Sequence, residues 1–151
     1  MLTVADLRAA KMTFRFPGHR PGGKRARRAA PEHQAQCAVF VWANHPLVLL
    51  RYPLLELLYA VPNGEKRQMQ VAQRLKAEGV KAGIPDLQLP VPRGRWAGLY
   101  IEMKAGRNQP SPVQRRKMAL LQQVGHRVSV QRTAEAAIAE IEWYLNLGRA
   151  A

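Results

Sequence analysis

Apolar positions first recur at helical spacing in PEHQAQCAVFVWAN, where Ala35, Ala38, Val39 and Trp42 follow a proline and an early acid. That pattern predicts a helix opening at Pro31. The next stretch, HPLVLLRYPLLELLYAVPNG, is rich in leucine but broken by Pro46, Pro53 and Pro62. It predicts two short apolar segments, the second a strand ending at the Pro62-Asn63-Gly64 turn. A helix is expected from about Glu65 to Glu78, with Met69, Ala72 and Leu75 inward and Gly79 as its left-handed stop.

Strict alternation then takes over. In Asp86-Leu87-Gln88-Leu89 the leucines share one face, and in Leu99 to Lys104 the apolar Leu99, Ile101 and Met103 oppose Tyr100, Glu102 and Lys104. One face should pack and the other present charge. The turn-rich link PVPRGRWAG is short enough to make these strands an antiparallel hairpin. Ser111-Pro112-Val113-Gln114 opens a helix that carries Leu120, Leu121 and Val124 and stops at Gly125, followed by a strand near Arg127 to Gln131 and a last helix from about Thr133 to Leu147. This order predicts one small α/β domain, a mixed sheet flanked by helices, with no repeat and no second domain.

Composition sharpens the picture at one point. The 151 residues carry 24 Lys and Arg against 10 Asp and Glu, a net charge of +14, so a polyanion such as nucleic acid is the first partner to expect. Residues 1–30 hold eight of the basic side chains and one acid, Asp6, and FPGHRPGGKRARRAAP has nothing to bury after Phe16. This predicts a mobile basic arm ahead of a domain spanning 31–151; a merely solubilising tail is the plainer alternative. The single cysteine, Cys37, excludes an internal disulfide and multi-cysteine metal sites and fits a reducing cytoplasm. Neither a signal-peptide core nor a membrane-length apolar run is present, so a soluble intracellular protein is expected.

Asp86 and Glu102 are the acids that matter if the hairpin pairs them. Two carboxylates side by side repel unless they share a hard cation such as Mg²⁺, and Lys104, two residues further on the same face, could stabilise charge growing on a phosphate. The plain alternative is an exposed sheet face with an ordinary Glu/Lys pair.

The run Pro62-Asn63-Gly64, Arg67, Leu75 to Leu87, then Tyr100-Ile101-Glu102-Met103-Lys104, then Ser111-Pro112-Val113-Gln114, resembles the VRR-NUC family of the PD-(D/E)XK nuclease superfamily. The resemblance covers about residues 31–147; the arm lies outside it and the Leu-rich segment 47–61 is longer than the family pattern. It implies a restriction-endonuclease-like α/β core and Mg²⁺-dependent cleavage of DNA, with Mn²⁺ able to substitute. Standalone viral (phage) and bacterial members are of this size. It further implies that Asp86 and Glu102 are the first and second metal-binding acids and Lys104 the catalytic lysine. Met103 would lend its backbone carbonyl to the metal, Glu32 would complete the metal site from the first helix, and Gln114 would line the site. Read by themselves, Glu32 is also favoured by the helix macrodipole, and Ser111-x-x-Gln114 also spells a capping box. Gln36 lies one turn beyond Glu32.

Lys24, Arg25, Arg27 and Arg28 in the arm, with Lys76, Lys81, Arg115 and Arg116, are the expected nucleic-acid contacts; Arg93, Arg95, Arg107 and Lys117 also neighbour the site in sequence. Trp96 at the hairpin tip could stack on a base or close a small core, Cys37 reads as core filling, and the four histidines lack metal-ligand spacing. The resemblance and the apolar surplus in Leu47 to Val61, with Trp143 and Tyr144, predict a homodimer cutting branched DNA such as a four-way (Holliday) junction. The competing readings are a non-catalytic nucleic-acid-binding protein, a flap-type or general nuclease, and a nuclease acting on RNA.

Overall fold

In α1 (Pro31–Ala43) proline occupies the first turn beside Glu32, and Val39, Trp42 and Ala43 are buried on one face. The computed structural model describes residues 31–62 and 69–148. The basic arm with Lys24, Arg25, Arg27 and Arg28, the Asn63-Gly64 turn and the expected helix start at Glu65 lie outside them, as do the side chains of Met69 and Ala72.

The Leu-rich stretch departs from expectation. Pro46 and Pro53, expected only to break the stretch into apolar segments, open helical turns: α2 (Pro46–Arg51) is capped by His45, whose ring accepts from Leu47 N–H, and a 3₁₀ turn covers Pro53–Leu57. Leucine favours helix over strand, and proline fits a first helical turn, so this outcome follows from propensity. Val48, Tyr52, Leu55 and Leu58 point inward at helical spacing, and the expected strand shrinks to β1 (Tyr59–Ala60). After α3 (Met69–Ala77), Gly79 takes a φ of +93°, the left-handed stop expected there.

β2 (Leu87–Leu89) and β3 (Leu99–Met103) form the expected antiparallel hairpin, and α4 (Pro112–Gln123) crosses over to β4 (Arg127–Gln131), which runs parallel to β3. The sheet order is β1-β2-β3-β4, with β1 antiparallel to β2. Leu87, Leu89, Leu99, Ile101 and Met103 fill one face and join a single core with Val39 and Trp42 of α1 and Ala137, Ile138, Ile141 and Tyr144 of α5 (Ala134–Leu145). Tyr144 is fully buried and its hydroxyl donates to the Val91 carbonyl, so only Trp143 of that pair reaches the surface. Trp96 packs against the core with the Arg95 guanidinium 4.5 Å above its ring, while Cys37 is half-buried beside His33 instead of filling the core. No helix among the described residues is long and apolar enough to cross a membrane.

Candidate active site

Hairpin register decides what the second sheet face presents. Leu87 pairs with Ile101, Gln88 with Tyr100 and Leu89 with Leu99, and one further step sets Asp86 across from Glu102. Alternation gathers Asp86, Gln88, Tyr100, Glu102 and Lys104 on the face opposite the core. The expected exposed charge is a correction, however: every residue of β3 is buried, and Glu102 has 0% exposure. The start of α4 reaches this face, where Gln114 Nε2 donates to Glu102 Oε1.

Asp86 is held from its own segment. Buried Pro85 precedes it, its carbonyl accepts from Val61 N–H at 2.8 Å, and its Oδ2 accepts from Met103 N–H at 2.8 Å. Gly83, at φ +84°, lets the incoming loop press on α4: a Cβ there would meet Val113 Cγ1 at 2.8 Å and the Val113 backbone at 3.1 Å. Met103 therefore meets the site through its backbone, its side chain being sealed in the core.

Glu102 is the centre. Its Oε1 accepts from Lys104 Nζ at 2.7 Å and from Gln114 Nε2, while its buried Oε2 has no hydrogen-bond partner. Burial pushes the Glu102 carboxyl up to about 7, Asp86 and Glu32 adding to the rise and Lys104 opposing it. Burial alone would lower the Lys104 ammonium. The bonded Glu102, with Glu32 and Asp86, outweighs it and holds that lysine above its ordinary value.

Glu32 arrives from α1 and its Oε1 accepts from Ala105 N–H at 2.9 Å, immediately after Lys104. The acid of the first helix is thus brought to the end of β3. Gln114 makes two bonds at once: its Oε1 accepts from Ser111 N–H at 2.8 Å, completing the capping box, and its Nε2 reaches Glu102.

The basic residues divide. Lys76, Lys81 and Arg116 are exposed, and Arg115 braces the loop before α4 through a 2.6 Å bond to the Pro110 carbonyl. Arg93, bonded to the Leu145 carbonyl, and Arg95, stacked on Trp96, sit at the hairpin tip, the end away from Asp86 and Glu102, so neighbourhood in sequence does not make them site residues. Sequence reasoning missed Arg132, whose guanidinium donates to the Gly106 and Asn108 carbonyls and ties down the loop following Lys104. It also missed the row beside the acids, in which the Tyr59 hydroxyl donates to Gln88 Oε1. Both depend on strand neighbours that only the sheet order supplies. Among the described residues no three His, Cys, Asp or Glu side chains form a ready-made metal cage.

Comparison with known proteins places this geometry in context. The model of a family described as VRR-NUC domain matches residues 26–135. A solved structure described as a VRR_NUC domain protein is similar at 27% identity with a TM-score of 0.65, over 81% of this chain and 93% of that chain. No curated protein matches the chain. The mixed four-stranded sheet flanked by helices is the restriction-endonuclease-like α/β arrangement expected.

Proposed function

As the chain belongs to the VRR-NUC family of nucleases, for which nucleic acid is the substrate class, we propose that it is a Mg²⁺-dependent DNA endonuclease working through Asp86, Glu102 and Lys104. One observation carries this reading: Glu102 is sealed from water opposite a second acid, with one carboxylate oxygen left without a partner. Burying such an oxygen is costly unless something positive meets it.

The donors suit Mg²⁺ or Mn²⁺, being hard carboxylate oxygens. Mg²⁺ commonly takes only one or two carboxylates, so a pair of acids suits it without a closed protein cage. Asp86 and Glu102 would hold the cation, with Glu32 and the Met103 carbonyl completing the set. When bound, the cation offsets charge on the scissile phosphate and the leaving oxygen.

Lys104 stays protonated at neutral pH, since its neighbours raise it, so its Nζ donates and does not take a proton. It orients the attacking water and stabilises charge on the phosphate oxygens. The water oxygen bonds to phosphorus in line with the bond to the 3′ oxygen. That bond breaks, the water's proton passes to solvent, the departing 3′ oxygen takes a proton from solvent, and 5′-phosphate and 3′-hydroxyl ends result. Lys76, Lys81, Arg115 and Arg116, with Lys24, Arg25, Arg27 and Arg28, would grip backbone phosphates with little regard to sequence. A protein that only bound nucleic acid would gain nothing from Glu102 and Asp86, which repel phosphate in the absence of a cation.

The finer proposal is a homodimer directed to branched DNA, a four-way junction first, acting in the cytoplasm of a bacterial or phage-infected cell. Two symmetric nicks need two sites, and a two-fold pair supplies them. The exposed Leu47, Leu50, Leu54, Leu57 and Trp143 offer apolar surface for it. Incubation with plasmid, junction, flap, linear duplex and RNA in Mg²⁺, Mn²⁺ or EDTA tests the assignment: junction cleavage only with a cation is expected, and turnover in EDTA would overturn it.

A further inference from the structure

The Gln114 side chain has only one orientation that satisfies both of its hydrogen bonds. Ser111 N–H can only donate, so it takes the amide oxygen at 2.8 Å, and this turns the amide NH₂ onto Glu102 Oε1. A flipped amide would set donor against donor at Ser111 and oxygen against oxygen at Glu102. Ser111 Oγ closes the box by accepting from Gln114 N–H at 3.3 Å. Glu102 Oε1 therefore receives two donors, from Gln114 and Lys104, and buried Oε2 receives none.

We infer that Ser111 is a positioning residue for the cation site: acting through Gln114, it fixes which oxygen of Glu102 is held by protein donors and which is left open to a divalent ion. The inference rests on the metal-dependent reading above. Without the box, the Gln114 amide is free to swing to Oε2, and an incoming cation must first displace it.

The test is calorimetric titration of the full chain with Mn²⁺ in the absence of nucleic acid. Removing groups that orient metal ligands typically weakens binding 10- to 100-fold, and Ser111 acts one residue further out, so Ser111→Ala, which keeps the backbone N–H, should weaken Mn²⁺ binding about threefold. Ser111→Pro removes that N–H as well; the native φ of −62° is one that proline adopts, and a loss of about tenfold is expected. Ser111→Thr should restore wild-type affinity. Thr133→Ala deletes the same kind of cap from α5, where Thr133 accepts from Ala136 N–H and does not orient a side chain bonded to Glu102. It should lower the melting temperature about as much as Ser111→Ala while leaving Mn²⁺ affinity unchanged. Equal affinity in wild type, Ser111→Ala and Ser111→Pro would overturn the inference alone, as would an equal loss in Thr133→Ala. A wild-type chain that binds no Mn²⁺ would overturn the metal-dependent reading and this inference with it.

Discussion

Replacing Glu102 by glutamine keeps the shape of the side chain and removes a charge that the fold hides completely. Burial raises its carboxyl from 4.5 to about 7. The folded state then holds a proton that the unfolded chain has already released, so metal-free stability is full below pH 4.5, falls through the interval up to about pH 7, and stays low above it. At 1.36 kcal/mol per pH unit the fall is roughly 3 kcal/mol. Glutamine abolishes it, the opposing bond to Lys104 being already contained in the value of about 7. In EDTA at pH 8, Glu102→Gln should therefore be more stable than wild type by about 3 kcal/mol, and the two should converge below pH 4.5. Mg²⁺ should stabilise wild type and leave the variant unmoved. Urea unfolding at a series of pH values, with and without Mg²⁺, reads all three effects. A wild-type chain whose metal-free stability is flat from pH 5 to 8, or a variant weaker than wild type at pH 8, would refute the reasoning.

Gly83→Ala places a Cβ 2.8 Å from Val113 at a φ of +84°, and should cost about 2 kcal/mol in chemical unfolding while shifting Asp86 enough to lower cleavage. Leu50→Asp alters a side chain 80% exposed in this fold; if the proposed homodimer forms through it, light scattering should show single chains, with junction cleavage reduced and melting temperature little changed. Deleting residues 1–30 should weaken DNA binding and flatten its salt dependence, by about 0.9 in the log–log slope for each phosphate that the arm neutralises; superimposable curves would make the arm a bystander.

Much of the candidate site could be read from the chain because Glu102 lies on β3 and Asp86 immediately before β2. Period-two alternation fixes which face Asp86, Glu102 and Lys104 share, and a short turn-rich link fixes that the two strands pair. Glu32 was singled out through the family resemblance alone, since nothing local separates such an acid from one that merely favours a helix start. Burial of Glu102 was not legible: it depends on α4 returning over the sheet, and Gln114 touches it only after a crossover places β4 beside β3. The Leu-rich stretch misled because proline both breaks strands and opens helices, and the choice rests on whether Val48, Tyr52, Leu55 and Leu58 find a core at helical spacing. At the hairpin tip, Arg93, Arg95 and Trp96 lie near Asp86 in sequence and at the far end of the strands in space.

The central claim, that Asp86, Glu102 and Lys104 cut DNA with a divalent cation, is tested most directly by measuring cleavage and binding on the same labelled four-way junction. Wild type should cut in Mg²⁺ and stop in EDTA, while Asp86→Asn, Glu102→Gln and Lys104→Ala should be inert. The two acid variants should bind the junction as tightly as wild type or tighter, because a carboxylate facing phosphate has gone. Undiminished cleavage by Glu102→Gln, or cleavage by wild type in EDTA, would contradict the account.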